Sequence, residues 1–179
     1  YGFDGSKEIF PITGFSDGGG RVSGAAEHLG AVRTKDPSTN LNGAVVEALG
    51  ALDTDVTSDS TVSWTDQALV LFTDGSDQAS RVSQQDALER ARLTKAHVFS
   101  IGLGGDVDEP VLRAFGKDGY WPAEKADQLS GAFDAIAAHV TGLANRFYLL
   151  EYCSPKRTGK HTLKVTASTQ AGGESLVGG

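Results

Sequence analysis

Apolar positions along the chain alternate between short continuous runs and longer periodic stripes. The runs at 68–73 and 97–102 are continuous and contain strand-forming residues, which is typical of strands that are buried on both faces of a parallel sheet. Tyr120 and Trp121 indicate a further short strand. Because helical stripes separate these strands, the order of elements predicts a mostly parallel sheet.

The strongest helical stripe begins at Leu41. Apolar residues recur from there to Leu52 with the spacing of one helix face. Ser38 and Thr39 precede the stripe, where residues that cap a helix are common. The polar stretch 53–63 then predicts a loop.

Three later segments also read as helices. The segment 83–95 begins with Ser83 as an expected N-cap, and Asp86 completes a pattern like a capping box. A short helix is expected over 108–117, with an aspartate and a proline at its start. The segment 126–146 has one continuous apolar face and should form the last helix.

The N-terminal segment has a different pattern. Two short apolar stretches within 1–15 flank the turn-forming pair Asp4 and Gly5, which favours a β-hairpin. A weak helical pattern follows at 25–32. No internal repeat is apparent.

The C-terminal segment favours an antiparallel hairpin of strands 147–153 and 161–167, followed by a loose tail at 172–179. The fold class is therefore α/β, a doubly wound and mostly parallel sheet flanked by helices. We assign this domain to 1–146, and the C-terminal β-hairpin extension with its tail to 147–179.

Composition narrows the classes of partner. The 179 residues carry a net charge of −7, which argues against nucleic acid or an anionic membrane as the main partner. No apolar run reaches the roughly 18–20 residues of a transmembrane helix. The single cysteine, Cys153, cannot form an internal disulfide. It is expected to be either a small buried apolar residue or half of a disulfide to another segment.

Two segments bring the candidate chemistry together, Ser38-Thr39-Asn40-Leu41 and Leu71-Phe-Thr-Asp-Gly75. With the order of elements over 1–146, this pairing resembles the von Willebrand factor A (vWA) domain, the integrin-I-like fold. The resemblance implies that Thr39 coordinates a divalent cation directly and that Asp74 binds it directly or through water. The cation would be Mg²⁺, with Mn²⁺ or Ca²⁺ as alternatives, because hydroxyls, carboxylates and waters suit hard cations. We expect it only if a segment upstream of Tyr1 carries the family's Asp-x-Ser-x-Ser motif, and the 179 residues alone should bind metal poorly.

The resemblance also implies a function. In the vWA family the cation binds an acidic side chain of a protein partner without a covalent step. We therefore expect a metal-ion-dependent protein-binding or adhesion module, in an extracellular, cell-surface or periplasmic setting. The alternative is a metal-free vWA-like scaffold subunit of a larger assembly.

This sequence lacks one motif of the vWA family. The Asp-x-Ser-x-Ser motif at the end of the family's first, central strand is not in this chain. Asp4-Gly5-Ser6-Lys7-Glu8 is a poor substitute, because the interval from Asp4 to Thr39 is too short for the elements that the family places there. Since the chain starts at Tyr1 and contains no Met, we expect a segment of about forty residues before Tyr1, or a second chain, to supply the strand.

Other interpretations of these residues remain open. Asp74 could be a turn residue after a strand, and Thr39 could be only a helix cap. Ser76 and Asp77 are expected to be surface residues of the loop, or at most to lie near the site. Gly102-Leu-Gly-Gly105 lacks the spacing of a dinucleotide-binding turn, and no nucleophile elbow or P-loop is present, so we do not expect an enzyme.

Overall fold

The computed structural model describes residues 1–14, 33–58, 65–145, 153, 159–160, 162, 166–168 and 174–176. The helix predicted at 25–32 lies outside the described residues, as does the strand predicted at 147–153 apart from Cys153. The chain divides into two compact units, Tyr1–Arg146 and Phe147–Gly179.

A parallel sheet forms the centre of the first unit. Its strands are β1 (Ala68–Thr73), β2 (His97–Leu103) and β3 (Gly119–Ala123), which lie side by side in that order. The middle strand is buried from Val98 to Gly102, as its continuous apolar run predicts. The predicted α/β class with a parallel sheet is confirmed.

Helices pack on both faces of this sheet. On one face, Leu71 and Val98 contact buried residues of the first three helices, and on the other, Phe99 and Ile101 contact Ala132 and Ile136 of the last helix. The helices are α1 (Leu41–Ser58), α2 (Gln84–Leu93), α3 (Glu109–Phe115) and α4 (Leu129–Ala144), the last preceded by a 3₁₀ turn at Ala126–Gln128.

Local capping signals located two helices correctly. The Ser83 hydroxyl accepts a hydrogen bond from the Asp86 amide at 3.1 Å and caps α2. The Asp108 carboxylate accepts from the Val111 amide at 3.2 Å and caps α3. Both caps are as predicted, because each depends only on residues three positions apart.

Helix α1 differs from its prediction at both ends. Its N-cap is Asn40, whose Oδ1 accepts from the Gly43 amide at 3.2 Å, so neither Ser38 nor Thr39 caps the helix. The helix also continues to Ser58 instead of ending near Leu52. In this added stretch Asp53 forms an ion pair with Arg90 of α2, which supports the helix beyond Leu52, and Thr54 Oγ1 donates to the Gly50 carbonyl at 2.9 Å.

The N-terminal segment pairs over a shorter stretch than predicted. Gly2 and Phe10 form one antiparallel bridge, with two N–H···O bonds of 2.9 Å. Asp4 and Gly5 are buried instead of forming an exposed hairpin turn. The reason is a set of hydrogen bonds to residues 35–40, which a reading of local pattern does not reveal.

The second unit contains a short antiparallel pair, β4 (Thr166–Ser168) and β5 (Glu174–Leu176). The prediction that 172–179 is a loose tail is therefore wrong at Glu174–Leu176, whose backbone pairs with β4. Cys153 is exposed, so the interpretation as a small buried residue is also wrong. In the described part of the chain, no helix combines the length and apolar character required to cross a membrane.

Candidate functional site

Thr39 and Asp74 line one pocket at the carboxyl end of β1. This is where parallel α/β sheets commonly bind ligands, because the loops that follow the strands meet at this edge. The structure therefore brings together the two residues that the sequence singles out. The other lining residues are Phe3, Asp4, Thr34, Asp36, Pro37, Ser38, Phe72 and Thr73.

The backbone of Thr39 is fixed by the loop that follows β1. Its carbonyl accepts hydrogen bonds from the amides of Gln78 at 2.8 Å and Ala79 at 3.0 Å. Because Asn40 caps the helix, the Thr39 hydroxyl is not needed there, and it forms no hydrogen bond to any residue that the structure describes. Thr39 thus presents a positioned hydroxyl whose lone pairs are available.

Asp74 is exposed and its carboxylate has no hydrogen bond or ion pair with the described residues. The turn after β1 is held by its neighbour Thr73. The Thr73 hydroxyl accepts from the Gly75 amide at 3.2 Å and donates to the Gly75 carbonyl at 3.0 Å. The turn therefore does not use the Asp74 carboxylate, which leaves both of its oxygens available.

Asp77 ties the loop to the start of α1, a role that the sequence did not reveal. Its Oδ1 accepts from the Asn42 amide at 3.0 Å, and its Oδ2 accepts from the Ser80 amide at 3.0 Å. Ser80 adopts a left-handed backbone with φ of 51°, which is uncommon for a residue other than glycine. Asp77 lies in the loop, as expected, and its carboxylate also helps to cap α1.

We expect Asp77→Ala to lower the free energy of unfolding by about 1–2 kcal/mol, since it removes a helix cap and a loop bond. Asp74→Ala, three positions away, should change it by less than about 0.5 kcal/mol, because that carboxylate is exposed and forms no hydrogen bond or ion pair with the described residues. Urea unfolding followed by circular dichroism measures both. Equal losses in the two variants would contradict this division of roles.

The Asp4 carboxylate is buried and fully engaged. Oδ1 accepts from the Ser6 amide at 2.8 Å, and Oδ2 accepts from the amides of Lys35 at 2.7 Å and Asp36 at 3.3 Å. The hydrogen bond from the Ser6 side chain is the largest cause that holds the pKa of Asp4 well below its usual range, and these amides add to it against the opposing effect of burial. Asp4 therefore organises the pocket wall, and both of its oxygens are engaged by amides of the chain.

Asp36 is also engaged. Its Oδ1 accepts from the Ser38 hydroxyl at 2.7 Å and the Ser38 amide at 3.0 Å, and its Oδ2 lies 3.1 Å from the Arg81 guanidinium. The Ser38 hydroxyl is the largest cause that keeps the pKa of Asp36 below its ordinary value, and Arg81 contributes further. Asp74 is thus the carboxylate of the pocket lining that remains available.

The available oxygen ligands are of the types that a hard divalent cation prefers, but Thr39 and Asp74 supply few of them. A hydroxyl and a carboxylate oxygen are ligands that Mg²⁺ accepts, whereas about six oxygens complete its shell. Within the described residues, no group of three or more His, Cys, Asp or Glu side chains is arranged to hold a metal. The remaining positions would fall to water and to groups from outside the described residues.

Comparisons with known proteins give a weak structural likeness. No family model matches the chain, and no curated protein matches it. Two structures of proximal thread matrix protein 1 from the mussel byssus show 16% and 17% identity with TM-scores of 0.48 and 0.47, and cover 65% and 72% of this chain. The chain spans only 28% and 29% of those structures. An uncharacterised membrane-spanning protein from Vibrio fischeri shows 21% identity and a TM-score of 0.39, covering 66% of each chain. At these TM-scores the likeness carries no functional argument.

Proposed function

We propose that this chain is a metal-ion-dependent protein-binding module of vWA type. Thr39 and Asp74 would hold Mg²⁺, with Mn²⁺ or Ca²⁺ as alternatives, and the cation would bind an acidic side chain of a protein partner. One observation supports this proposal above the others. The Thr39 hydroxyl and the Asp74 carboxylate share a pocket in which the other two carboxylates, Asp4 and Asp36, are already engaged.

Each residue has a distinct part in this proposal. The Thr39 hydroxyl offers a neutral oxygen on a backbone fixed by Gln78 and Ala79. Asp74 offers negative charge on an exposed side chain that lines the pocket. A divalent cation would then supply the positive charge that attracts a partner carboxylate. No covalent step is involved, so the module is not an enzyme.

The small number of protein ligands predicts weak binding by the chain alone. Two protein oxygens leave about four positions to water, which costs affinity because the site is less pre-organised. A complementing N-terminal segment or chain that carries further oxygen ligands would strengthen the site. The proposal therefore predicts measurable but low affinity for Tyr1–Gly179.

We expect the chain to bind Mn²⁺ saturably, with a Kd on the order of 10⁻⁴–10⁻³ M. Asp74→Asn should weaken binding at least about tenfold, because it removes the charged ligand, and Thr39→Val should weaken it about three- to tenfold, because it removes a neutral one. Titration calorimetry and Mn²⁺ electron paramagnetic resonance measure these affinities.

Asp106→Asn is the matched control for this titration. Asp106 is an exposed carboxylate in the loop that follows β2, near the same edge of the sheet. The substitution changes the net charge by the same amount as Asp74→Asn, so both lose any general attraction for cations equally. Equal weakening in the two variants would show that the cation responds to net charge and not to a site.

A synthetic peptide tests whether an acidic side chain of a partner binds through the cation. An immobilised peptide with one glutamate should capture the chain in Mg²⁺ and release it in chelator, whereas the same peptide with glutamine should not. Capture that persists in chelator would contradict a cation bridge. The extracellular, cell-surface or periplasmic setting stays a prediction.

A metal-free scaffold is the second candidate function. It is favoured by the observation that no three metal-ligating side chains converge among the described residues. In this case Mn²⁺ would bind without saturation, and Asp74→Asn would behave like Asp106→Asn. The same titration therefore separates the two candidates.

A further inference from the structure

Three Asp-Gly pairs lie in the part of the chain that the structure describes. In such a pair the amide nitrogen of the glycine can attack Cγ of the aspartate and close a succinimide ring, because glycine has no side chain to hinder the approach and its backbone is permissive. Whether this happens in a folded protein depends on how the aspartate carboxyl group is held. The pairs are Asp4-Gly5, Asp74-Gly75 and Asp118-Gly119.

The reaction needs water and no other reagent. A bond forms between the glycine nitrogen and the aspartate Cγ, and the proton of the nitrogen leaves as water with the hydroxyl group of the carboxyl. Water then opens the ring at one of its carbonyl carbons. Opening at Cγ restores aspartate, whereas opening at the backbone carbonyl gives isoaspartate, in which the main chain runs through Cβ and Cγ. No atom is oxidised or reduced.

Hydrogen bonds from residues outside the pair hold two of the three carboxylates. Asp4 is 5% exposed, and both of its oxygens accept backbone amides. Asp118 accepts the Val98 amide on Oδ2 at 2.8 Å, and its Oδ1 lies 3.1 Å from Nδ1 of His97. Because these bonds must break before either carboxyl group can turn towards the following amide, the fold should slow ring closure at both sites.

Asp74 differs from both. It is exposed, and its carboxylate forms no hydrogen bond or ion pair with the described residues. The glycine amides do not distinguish the pairs, because each of them donates a hydrogen bond of 2.9–3.2 Å. The hydrogen bonds of Gly75 go to the hydroxyl of Thr73, its neighbour in the same turn. Of the three carboxyl groups, that of Asp74 is therefore the one that can rotate towards its own glycine.

We propose that Asp74-Gly75 is a site of spontaneous isomerisation to isoaspartate, from which hydrogen bonds protect Asp4 and Asp118. The product lengthens the main chain by one carbon atom and attaches the carboxylate directly to Cα. The modification therefore moves the carboxylate at the carboxyl end of β1, in an exposed loop that a carboxyl methyltransferase specific for isoaspartate could reach. The reaction needs no cation and goes beyond the function proposed above.

The test incubates the full chain in chelator at physiological temperature for several weeks. Trypsin then separates the three pairs into different peptides, in which mass spectrometry distinguishes isoaspartate from aspartate by their backbone fragments. Isoaspartate should form at Asp74 at least about tenfold faster than at Asp4 or Asp118, because no hydrogen bond has to break first. A fourth pair, Asp17-Gly18, lies outside the described residues and falls on a further peptide, so it does not affect the comparison.

Unfolding is the control that separates structure from sequence. In guanidinium chloride all three carboxyl groups lose their protein contacts, so the three rates should come within about threefold of one another. A tenfold preference for Asp74 that persists in the unfolded chain would show that the neighbouring sequence, and not the fold, selects the site. That result would overturn the proposal.

Gly75→Ala tests whether the following amide is the attacking group. Among the described residues beyond its chain neighbours, an added Cβ would come closest to Thr39 Oγ1, at 3.7 Å, so alanine fits the fold. The methyl group hinders the approach of the nitrogen and should slow isomerisation at Asp74 at least about tenfold. The proposal is overturned if Gly75→Ala reacts as fast as the parent chain, or if the folded parent modifies Asp74 no faster than Asp4 and Asp118. Because the measurement is made in chelator, its failure leaves the cation proposal intact.

Discussion

Replacing Asp4 with alanine is expected to lower the free energy of unfolding by about 2–4 kcal/mol, although Asp4 is a single carboxylate in an irregular segment. The side chain accepts hydrogen bonds from the amides of Ser6, Lys35 and Asp36, so its removal leaves three donors without this partner. Water can reach only part of this site, since Asp4 itself is 5% exposed. Urea unfolding of the variant against the parent chain measures the loss.

The same carboxylate predicts acid sensitivity. Its folded pKa lies below the ordinary aspartate value of about 3.9, so its contribution to stability is present above that value and is lost as the pH falls below it. The difference in unfolding free energy between the parent chain and Asp4→Ala should therefore shrink from pH 7 to pH 3. Asp106→Ala, an exposed control, should stay within about 0.5 kcal/mol at both values. A constant difference would show that the charge of Asp4 is not what stabilises the fold.

Replacing Phe99 with alanine should lower the free energy of unfolding by about 3–5 kcal/mol, because it opens a cavity between the sheet and α4. Phe99 is fully buried in the middle strand. Its ring lies 6.0 Å from the ring of Trp121 and 5.4 Å from that of His139, between centroids. Loss of the Phe99 ring should weaken the packing of α4 on the sheet. Thermal and urea unfolding both measure the resulting loss of stability.

Phe133 is the matched control for Phe99. It belongs to α4 on the same face of the sheet but is 44% exposed. Phe133→Ala should therefore cost less than about 1 kcal/mol. Similar losses for the two variants would contradict the assignment of Phe99 to a closed core and of Phe133 to an open margin.

Elements whose signals are local could be predicted from the sequence. The bounds of β1 follow from one continuous apolar run, and Ser83 and Asp108 cap their helices through residues three positions away. The end of α1 could not be predicted in this way. Its polar last turns are stabilised in part by an ion pair between Asp53 and Arg90, which are far apart in sequence.

The candidate site shows the same division. The resemblance to the vWA family singled out Thr39 and Asp74, and the structure places them in one pocket. The sequence could not predict that the Thr39 hydroxyl and the Asp74 carboxylate form no hydrogen bonds with the described residues, because other residues make the bonds that cap the helix and hold the turn. Asn40 caps α1 in place of Thr39, and Asp77 reaches an amide 35 positions away. Contacts over such distances leave no pattern in a single sequence.

Paramagnetic broadening by Mn²⁺ in the ¹⁵N-labelled 179-residue chain is the decisive test of a cation site at the carboxyl end of β1, because it locates a cation without requiring a partner. Low Mn²⁺ concentrations should broaden the amides of Thr39, Asp74 and Gly75 first, and excess Mg²⁺ should reverse the effect. Asp74→Asn should remove this pattern, whereas Asp106→Asn should leave it. Broadening that spreads over exposed carboxylates throughout the chain, or that is unchanged in Asp74→Asn, would contradict a cation site at the carboxyl end of β1.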